Sequence, residues 1–226
     1  MDVVAQQEMM TTLDKQEETN TMEFWQGKPA NVASMLLQND LEHLGQAEIA
    51  DILEQLPPLD GLKILELGAG IGRYTSHFAQ VASHVTTVDF VEEFVDQNRK
   101  TTAHFNNVSY YVADVMSLEF EPESFDFVFM NWLLMYLDDQ QIVLLRNRIR
   151  QWLQVGGTLF VRESCLWEGS TPGSLRSNPA RYRPDIHYTS LFENDFRLLH
   201  QGTVRAYEQR FNDPSQCYWL FRRDRV

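Results

Sequence analysis

From Lys63 to Trp167 the chain alternates short apolar runs with longer amphipathic ones, and that alternation restricts the fold more than any other feature. KILELG, HVTTVDF, VSYYVADV, SFDFVFMNW and GGTLFVRESCLW are rich in β-branched and aromatic residues and read as strands. Between them, IGRYTSHFAQVA, VEEFVDQNRKTTAHF and DDQQIVLLRNRIRQWLQV carry apolar residues at helical spacings. Strands joined by helices pair in parallel, because the crossover helix returns the chain over the sheet, and such a sheet is covered on both faces. The expected fold class is therefore α/β, a Rossmann-like and mostly parallel sheet with helices on both faces.

The flanks are less regular. Residues 1–21 are rich in Gln, Glu, Thr and Met and predict a mobile N-terminal arm. Met35, Leu36, Leu41, Leu44, Ile49, Ile52, Leu53 and Leu56 recur at helical spacings until Pro57-Pro58 stops them. GSTPGSLRSNPARYRPD predicts a long basic loop, and loops of that length are often functional. DFRLLHQGTVRAYEQRF and SQCYWLFRR read as two strands turning at Asn212, Asp213 and Pro214, an antiparallel pair at the sheet edge.

The 226 residues suit one domain, expected over 22–226. A net charge of −13 opposes nucleic acid or an anionic membrane as partner, since both demand clustered Lys and Arg. No apolar run approaches the roughly 20 residues of a membrane helix, and the N-terminus has no signal-peptide pattern, so a cytoplasmic protein without membrane insertion is expected. Cys165 and Cys217 stand alone in strand patterns and read as reduced core residues, and no metal spacing occurs.

ILELGAGIGR places G-x-G-x-G between a strand and a helix, where bare backbone approaches a ligand and helix-start N–H groups point at it. The spacing departs from the dinucleotide fingerprint, and Glu66 before Gly68, Gly70 and Gly72 would repel a pyrophosphate. Asp89 ends the second strand about 20 residues after the loop, where a carboxylate takes both hydroxyls of a ribose. Asp114 and the adjacent Val115 amide suit an adenine edge, and Asn131 at the fourth strand's end can orient the cofactor or an amine. A cationic nucleoside without phosphates satisfies this set, and S-adenosylmethionine is such a ligand.

E-x-G-x-G-x-G with an acid after the second strand resembles the class I S-adenosylmethionine-dependent methyltransferases, which implies a seven-stranded sheet whose last strand is antiparallel. NWLLMYL, RESC, SNPARYR and HYTSLF extend the resemblance to the first methyltransferase domain of plant and nematode phosphoethanolamine N-methyltransferases. It implies methylation of the phosphoethanolamine amine in phosphocholine formation, with a companion methyltransferase for later methylations, and an N-terminal helical lid to which Trp25 belongs.

Such chemistry needs an amine free of its proton and aligned with a methyl donor. Tyr136 and Trp132 follow the fourth strand and can hold an ammonium on their faces, and His187 is the candidate base. Tyr182, Arg183 and Tyr188 are expected at the phosphate, because arginine forks and tyrosine hydroxyls suit its oxygens. Glu163 is expected near the sulfonium or the substrate ammonium, with pairing to an arginine as the alternative. Where the family reads Y-R-E-P-R-F-Y-T this chain reads YRPDIHYT, so Ile186 replaces an arginine, and Phe24 replaces a lid tyrosine. Two alternatives follow: a different small amine or polar acceptor, or a non-catalytic cofactor-binding partner domain.

Overall fold

The computed structural model describes residues 21–37, 42–167 and 179–225. Nearly all of the expected N-terminal arm, Leu41 of the helical run and Arg176 of the basic loop lie outside the described residues. Three N-terminal helices, α1 (Thr21–Gln26), α2 (Val32–Leu36) and α3 (Glu42–Leu53), precede the alternating part. There follow β1 (Lys63–Leu67), α4 (Thr75–Val81), β2 (His84–Asp89), α5 (Glu92–Thr101), β3 (Val108–Val112), β4 (Phe125–Asn131), α6 (Asp139–Trp152) and β5 (Leu153–Leu166). The C-terminal part comprises β6 (Arg183–Pro184), α7 (Asp185–Phe192), β7 (Arg197–Thr203), α8 (Arg205–Phe211) and β8 (Gln216–Arg222).

The strands form one sheet in the order β3-β2-β1-β4-β5-β8-β7, with the two-residue β6 beside the far end of β5. Strands β1 to β5 pair in parallel, and β8 runs antiparallel between β5 and β7. The Rossmann-like, mostly parallel sheet with an antiparallel last strand is thus observed, enlarged to eight strands by β6. Alternation along each strand divides the core. Ile64, Phe127, Phe129, Phe160 and Leu220 face one layer, and Leu65, Val128, Met130, Leu159, Val161 and Phe221 face the other.

Helix α6 shows why such a crossover forms. Asp138 and Gln141 close a capping box at its start, and Ile142, Leu145, Ile149 and Trp152 align on its buried face. The helix stops three residues earlier than expected because Leu153 already pairs with Phe125 as the first residue of β5.

The segment read as one long strand after Asp195 divides instead into β7 and α8. Arg205 anchors α8 by donating Nε to Asp51 Oδ1 of α3 at 2.6 Å, while Tyr207 packs against Trp132. This tertiary anchorage overrides the strand-like alternation of the sequence.

Candidate active site

Strand ends β1, β2, β4 and β5 open into a cavity of about 870 Å3, at the carboxyl edge where open α/β sheets bind ligands. Gly68, Ala69 and Gly70 form its floor, Asp89, Asp114 and Val115 one wall, and Trp25, Asn131, Trp132, Tyr136 and Tyr182 the other. Helix α4 starts only at Thr75, so the loop from Gly68 to Tyr74 is turn rather than helix start.

Gly70 has φ +55°, and its N–H donates to Asp89 Oδ2 at 2.8 Å. A Cβ there would stand 2.9 Å from Met35 Sδ, so backbone, acid and helix α2 meet at this point. Asp89 Oδ1 accepts from Val91 N at 2.9 Å, and burial pushes the carboxyl up to about 6 against the backbone donors Val91, Gly70 and Phe90. Each oxygen keeps a lone pair for a further donor, which suits a pair of ribose hydroxyls.

Glu66 is buried beneath the loop, where Thr75 Oγ1 donates to its Oε2 at 2.5 Å. Burial, with the charge of Asp89 adding, pushes its carboxyl up to about 8 although the Thr75 bond opposes this. Glu66 is therefore mainly protonated at neutral pH, and the expected repulsion of a pyrophosphate does not come from it. Thr75 also accepts from Asn98 Nδ2, a contact made close to Gly72, so loop and α5 share one buried polar network.

Asp114 caps the short turn Val115–Ser117, its Oδ1 accepting from Met116 N at 2.8 Å. Asn131 Oδ1 is buried at the cavity and has no donor among the described residues. An orphaned acceptor there fits an incoming ammonium group such as the methionine end of S-adenosylmethionine carries. With the bare loop and the two acids, this donor and acceptor set fits that cofactor.

The aromatic end departs further from expectation. Trp132 has φ +55°, and its Nε1 donates to Ser164 Oγ at 2.9 Å and Gln216 Oε1 at 3.2 Å. The Arg162 guanidinium stacks 3.5 Å from the ring centroid. A cation already on one face weakens the ring's attraction for a second one, so Trp132 is a fixed wall rather than an ammonium cradle. Arg162 is fully buried and pairs with Glu48 of α3 at 3.1 Å, and Glu48 also pairs with Arg73 at 2.7 Å. Among the described lining residues Arg73 is the only arginine or lysine.

Tyr136 lines the cavity and meets Trp25 edge to face at 5.6 Å. Burial raises its hydroxyl above the ordinary tyrosine range, while a hydrogen bond with Trp25 opposes the shift, so the phenol stays neutral. Trp25 touches Phe94 as well and ties α1 to the site.

Two expected substrate residues, Arg183 and Tyr188, and the candidate base His187 lie elsewhere. Arg183 donates Nε to Asp139 Oδ1 at 2.8 Å, Nη1 to Leu134 O at 3.2 Å and Nη2 to Leu137 O at 2.6 Å, so its fork holds backbone and not a phosphate. Tyr188 is 1% exposed and packs on Trp219 in the core. His187 lies outside the cavity lining and pairs through Nε2 with Asp139 Oδ2 at 2.9 Å. Glu163, expected near the sulfonium, is buried, and its oxygens accept the N–H groups of Leu133, Leu134 and Met135. Of the expected substrate and catalytic residues, the cavity therefore collects Trp25, Trp132, Tyr136 and Tyr182.

Several lining residues had no sequence signal of their own. Tyr207 lies in the segment that alternates like a strand, and Ser164 and Gln216 converge only through the β5–β8 pairing. Met35 carried a helical-core signal, and nothing local tells that its sulfur faces Gly70.

Residues 64–157 match the family described as Methyltransferase domain. The chain is 37% identical over 206 residues to phosphoethanolamine N-methyltransferase 3 of Arabidopsis thaliana, covering 85% of this chain and 42% of that protein. It is 35% identical over 212 residues to phosphoethanolamine N-methyltransferase 1 of Caenorhabditis elegans, covering 88% and 43%. It thus spans less than half the length of these curated relatives. A solved structure of Haemonchus contortus phosphoethanolamine N-methyltransferase 1, in complex with phosphoethanolamine and S-adenosylhomocysteine, matches with TM-score 0.83 and 28% identity over all of this chain and 50% of that one. The glycine loop, its acids, the sheet order and these matches agree: the chain belongs to the S-adenosylmethionine-dependent methyltransferases.

Proposed function

We propose that the chain methylates the nitrogen of a small amine, with phosphoethanolamine as the acceptor. The observation that carries this reading is one continuous cavity joining the loop and Asp89 to the aromatic wall of Trp25, Tyr136 and Tyr182. The acceptor named in the relatives supports phosphoethanolamine.

When bound, S-adenosylmethionine supplies an electrophilic methyl group on a sulfonium. Gly68 and Gly70 leave room for it, Asp89 takes its ribose hydroxyls, Asp114 and Val115 meet its adenine, and Asn131 Oδ1 accepts from its ammonium. The neutral Tyr136 hydroxyl accepts a hydrogen bond from the acceptor nitrogen and so aims the lone pair, and the aromatic wall excludes water. No described titratable group stands out as the base, so the acceptor loses its proton to solvent before it is enclosed. Residues 22–226 act as one methyltransferase domain in which the N-terminal helices α1 and α2 are the lid, Trp25 being the contact from lid to acceptor. The protein works in the cytoplasm, with a companion methyltransferase completing the later methylations. No described helix is long and apolar enough to cross a membrane.

Methyl transfer from isotope-labelled S-adenosylmethionine, with phosphoethanolamine, its mono- and dimethyl forms and unphosphorylated ethanolamine offered side by side, tests this reading. Label on phosphoethanolamine supports it, and label on none of the four refutes it. A second reading, an acceptor without phosphate, is favoured by Arg183 being committed to backbone and by Ile186 being 69% exposed. Label on ethanolamine alone would select it.

A further inference from the structure

The turn that carries Tyr136, residues 133–137, has its backbone groups satisfied largely from outside. Leu133 N and Leu134 N donate to Glu163 Oε1 at 3.0 and 2.7 Å, and Met135 N donates to Oε2 at 3.2 Å. From β6, Arg183 donates to the carbonyls of Leu134 and Leu137, with its Nε fixed by Asp139. Arg181 N donates to Met135 O at 2.6 Å, which leaves only two short bonds, Tyr136 N to Leu133 O and Leu137 N to Leu134 O, inside the turn.

Glu163 is fully buried and Arg183 is 8% exposed. Burying a carboxyl and a guanidinium is costly, and burial pushes the Glu163 carboxyl up to about 7 against the N–H donors of Leu134, Leu133 and Met135. A turn of five residues has cheaper ways to satisfy its amides, such as a helical continuation or solvent. The two side chains do something those alternatives do not: they grip opposite sides of the same turn, a carboxyl group on its N–H groups and a guanidinium on its carbonyls. Tyr136 lies between the two grips and lines the cavity, so residues on β5 and β6 set the backbone that carries it, while Trp25 contacts its ring.

We infer that Glu163 and Arg183 are positioning residues, a two-ended clamp that sets Tyr136 against the acceptor. The inference rests on the reading of Tyr136 as part of the acceptor wall. The clamp also explains why an arginine and a glutamate beside the site lie outside the cavity lining.

The test substitutes Glu163→Gln and Arg183→Lys, each alone and in the Y136F background. Steady-state rates and backbone amide exchange over 131–137 are then measured. If the clamp acts through Tyr136, each substitution lowers kcat about tenfold or more with KM within about threefold, because a small misplacement beside a reacting centre is costly. In the Y136F background neither then adds more than about twofold, whereas a merely structural role lowers kcat equally in both backgrounds and overturns the inference. Amide exchange at Leu133, Leu134 and Met135 is expected to accelerate in E163Q about tenfold over the flanking strand, and unchanged exchange also overturns the clamp. Should E163Q not fold, R183K carries the same cycle. Should the wild type methylate none of the amines, the functional reading fails and the positioning role with it, whereas unchanged exchange in an active enzyme overturns the clamp alone.

Discussion

Asp89 and Gly70 hold each other across the cavity floor, the Gly70 N–H on Asp89 Oδ2 at 2.8 Å. The bond shapes the loop before any ligand arrives and leaves both carboxylate oxygens able to accept hydroxyls. If Asp89 takes the ribose hydroxyls as proposed, Asp89→Ala removes two charge-assisted bonds, at about 1.5–3 kcal/mol each, together with the Gly70 acceptor. We expect the affinity for S-adenosylhomocysteine to fall at least about 100-fold by titration calorimetry. Near-normal affinity would place the ribose elsewhere.

Glu66 makes stability depend on pH in a direction that can be tested. Its carboxyl is pushed up from 4.5 to about 8 by burial, so the folded state holds a proton that the unfolded chain gives up. That contribution is fully present below the unfolded value near 4.5 and is lost as pH rises through 8. Glu66→Gln removes the titration while keeping an acceptor for Thr75. The stability of the variant relative to the wild type should therefore rise between pH 5 and pH 9, by an amount on the order of a few kcal/mol. Urea denaturation at the two pH values reads the difference, and parallel curves would mean that Glu66 is ionised throughout.

Much of this architecture was legible because it repeats. The strand and helix periods between Lys63 and Leu166 are local, and the glycine loop with Asp89 is recognisable from spacing alone. Residues whose partners come from distant elements were not legible. Whether Arg183 faces a phosphate or the carbonyls of Leu134 and Leu137 depends on how β6 docks against β5, and nothing near position 183 encodes that. His187 is committed to Asp139 across 48 residues of sequence, and Trp132 gains its Arg162 neighbour only when β4 pairs with β5. Helix α8 was misread because alternation in RAYEQRF mimics a strand, while Asp51 on α3 selects the helix.

Gly72 and Gly156 both have left-handed backbone, with φ +83° and +86°, but their surroundings differ. A Cβ on Gly72 would lie 2.0 Å from Asn98 Oδ1, whereas none of the neighbours of Gly156 comes within 4 Å. Asn98 is the buried hub that donates to Thr75 and Thr87, so moving it breaks two hydrogen bonds. Gly72→Ala should cost about 3–4 kcal/mol and Gly156→Ala about 1 kcal/mol by chemical denaturation, since only the second is confined to backbone strain. Equal costs would show that Asn98 yields freely and that the network is not rigid.

Tyr136→Phe separates the hydroxyl of the acceptor wall from its ring. The ring still packs edge to face on Trp25 although the hydrogen bond between the hydroxyl and Trp25 is lost, so the ring contact and cofactor affinity should change little. What disappears under the proposed function is the oxygen that orients the acceptor nitrogen, an interaction that counts only once the amine is in line with the methyl group. We expect kcat to fall about 10- to 100-fold and the S-adenosylhomocysteine affinity to stay within about twofold, a split that identifies an interaction made at the reacting atoms. The hydroxyl's pKa is raised by burial, so the loss should be uniform from pH 7 to 9 and not confined to one limb of the rate profile. A loss confined to the alkaline side would instead identify Tyr136 as a group that ionises during turnover, and a variant with full activity would remove it from the acceptor wall.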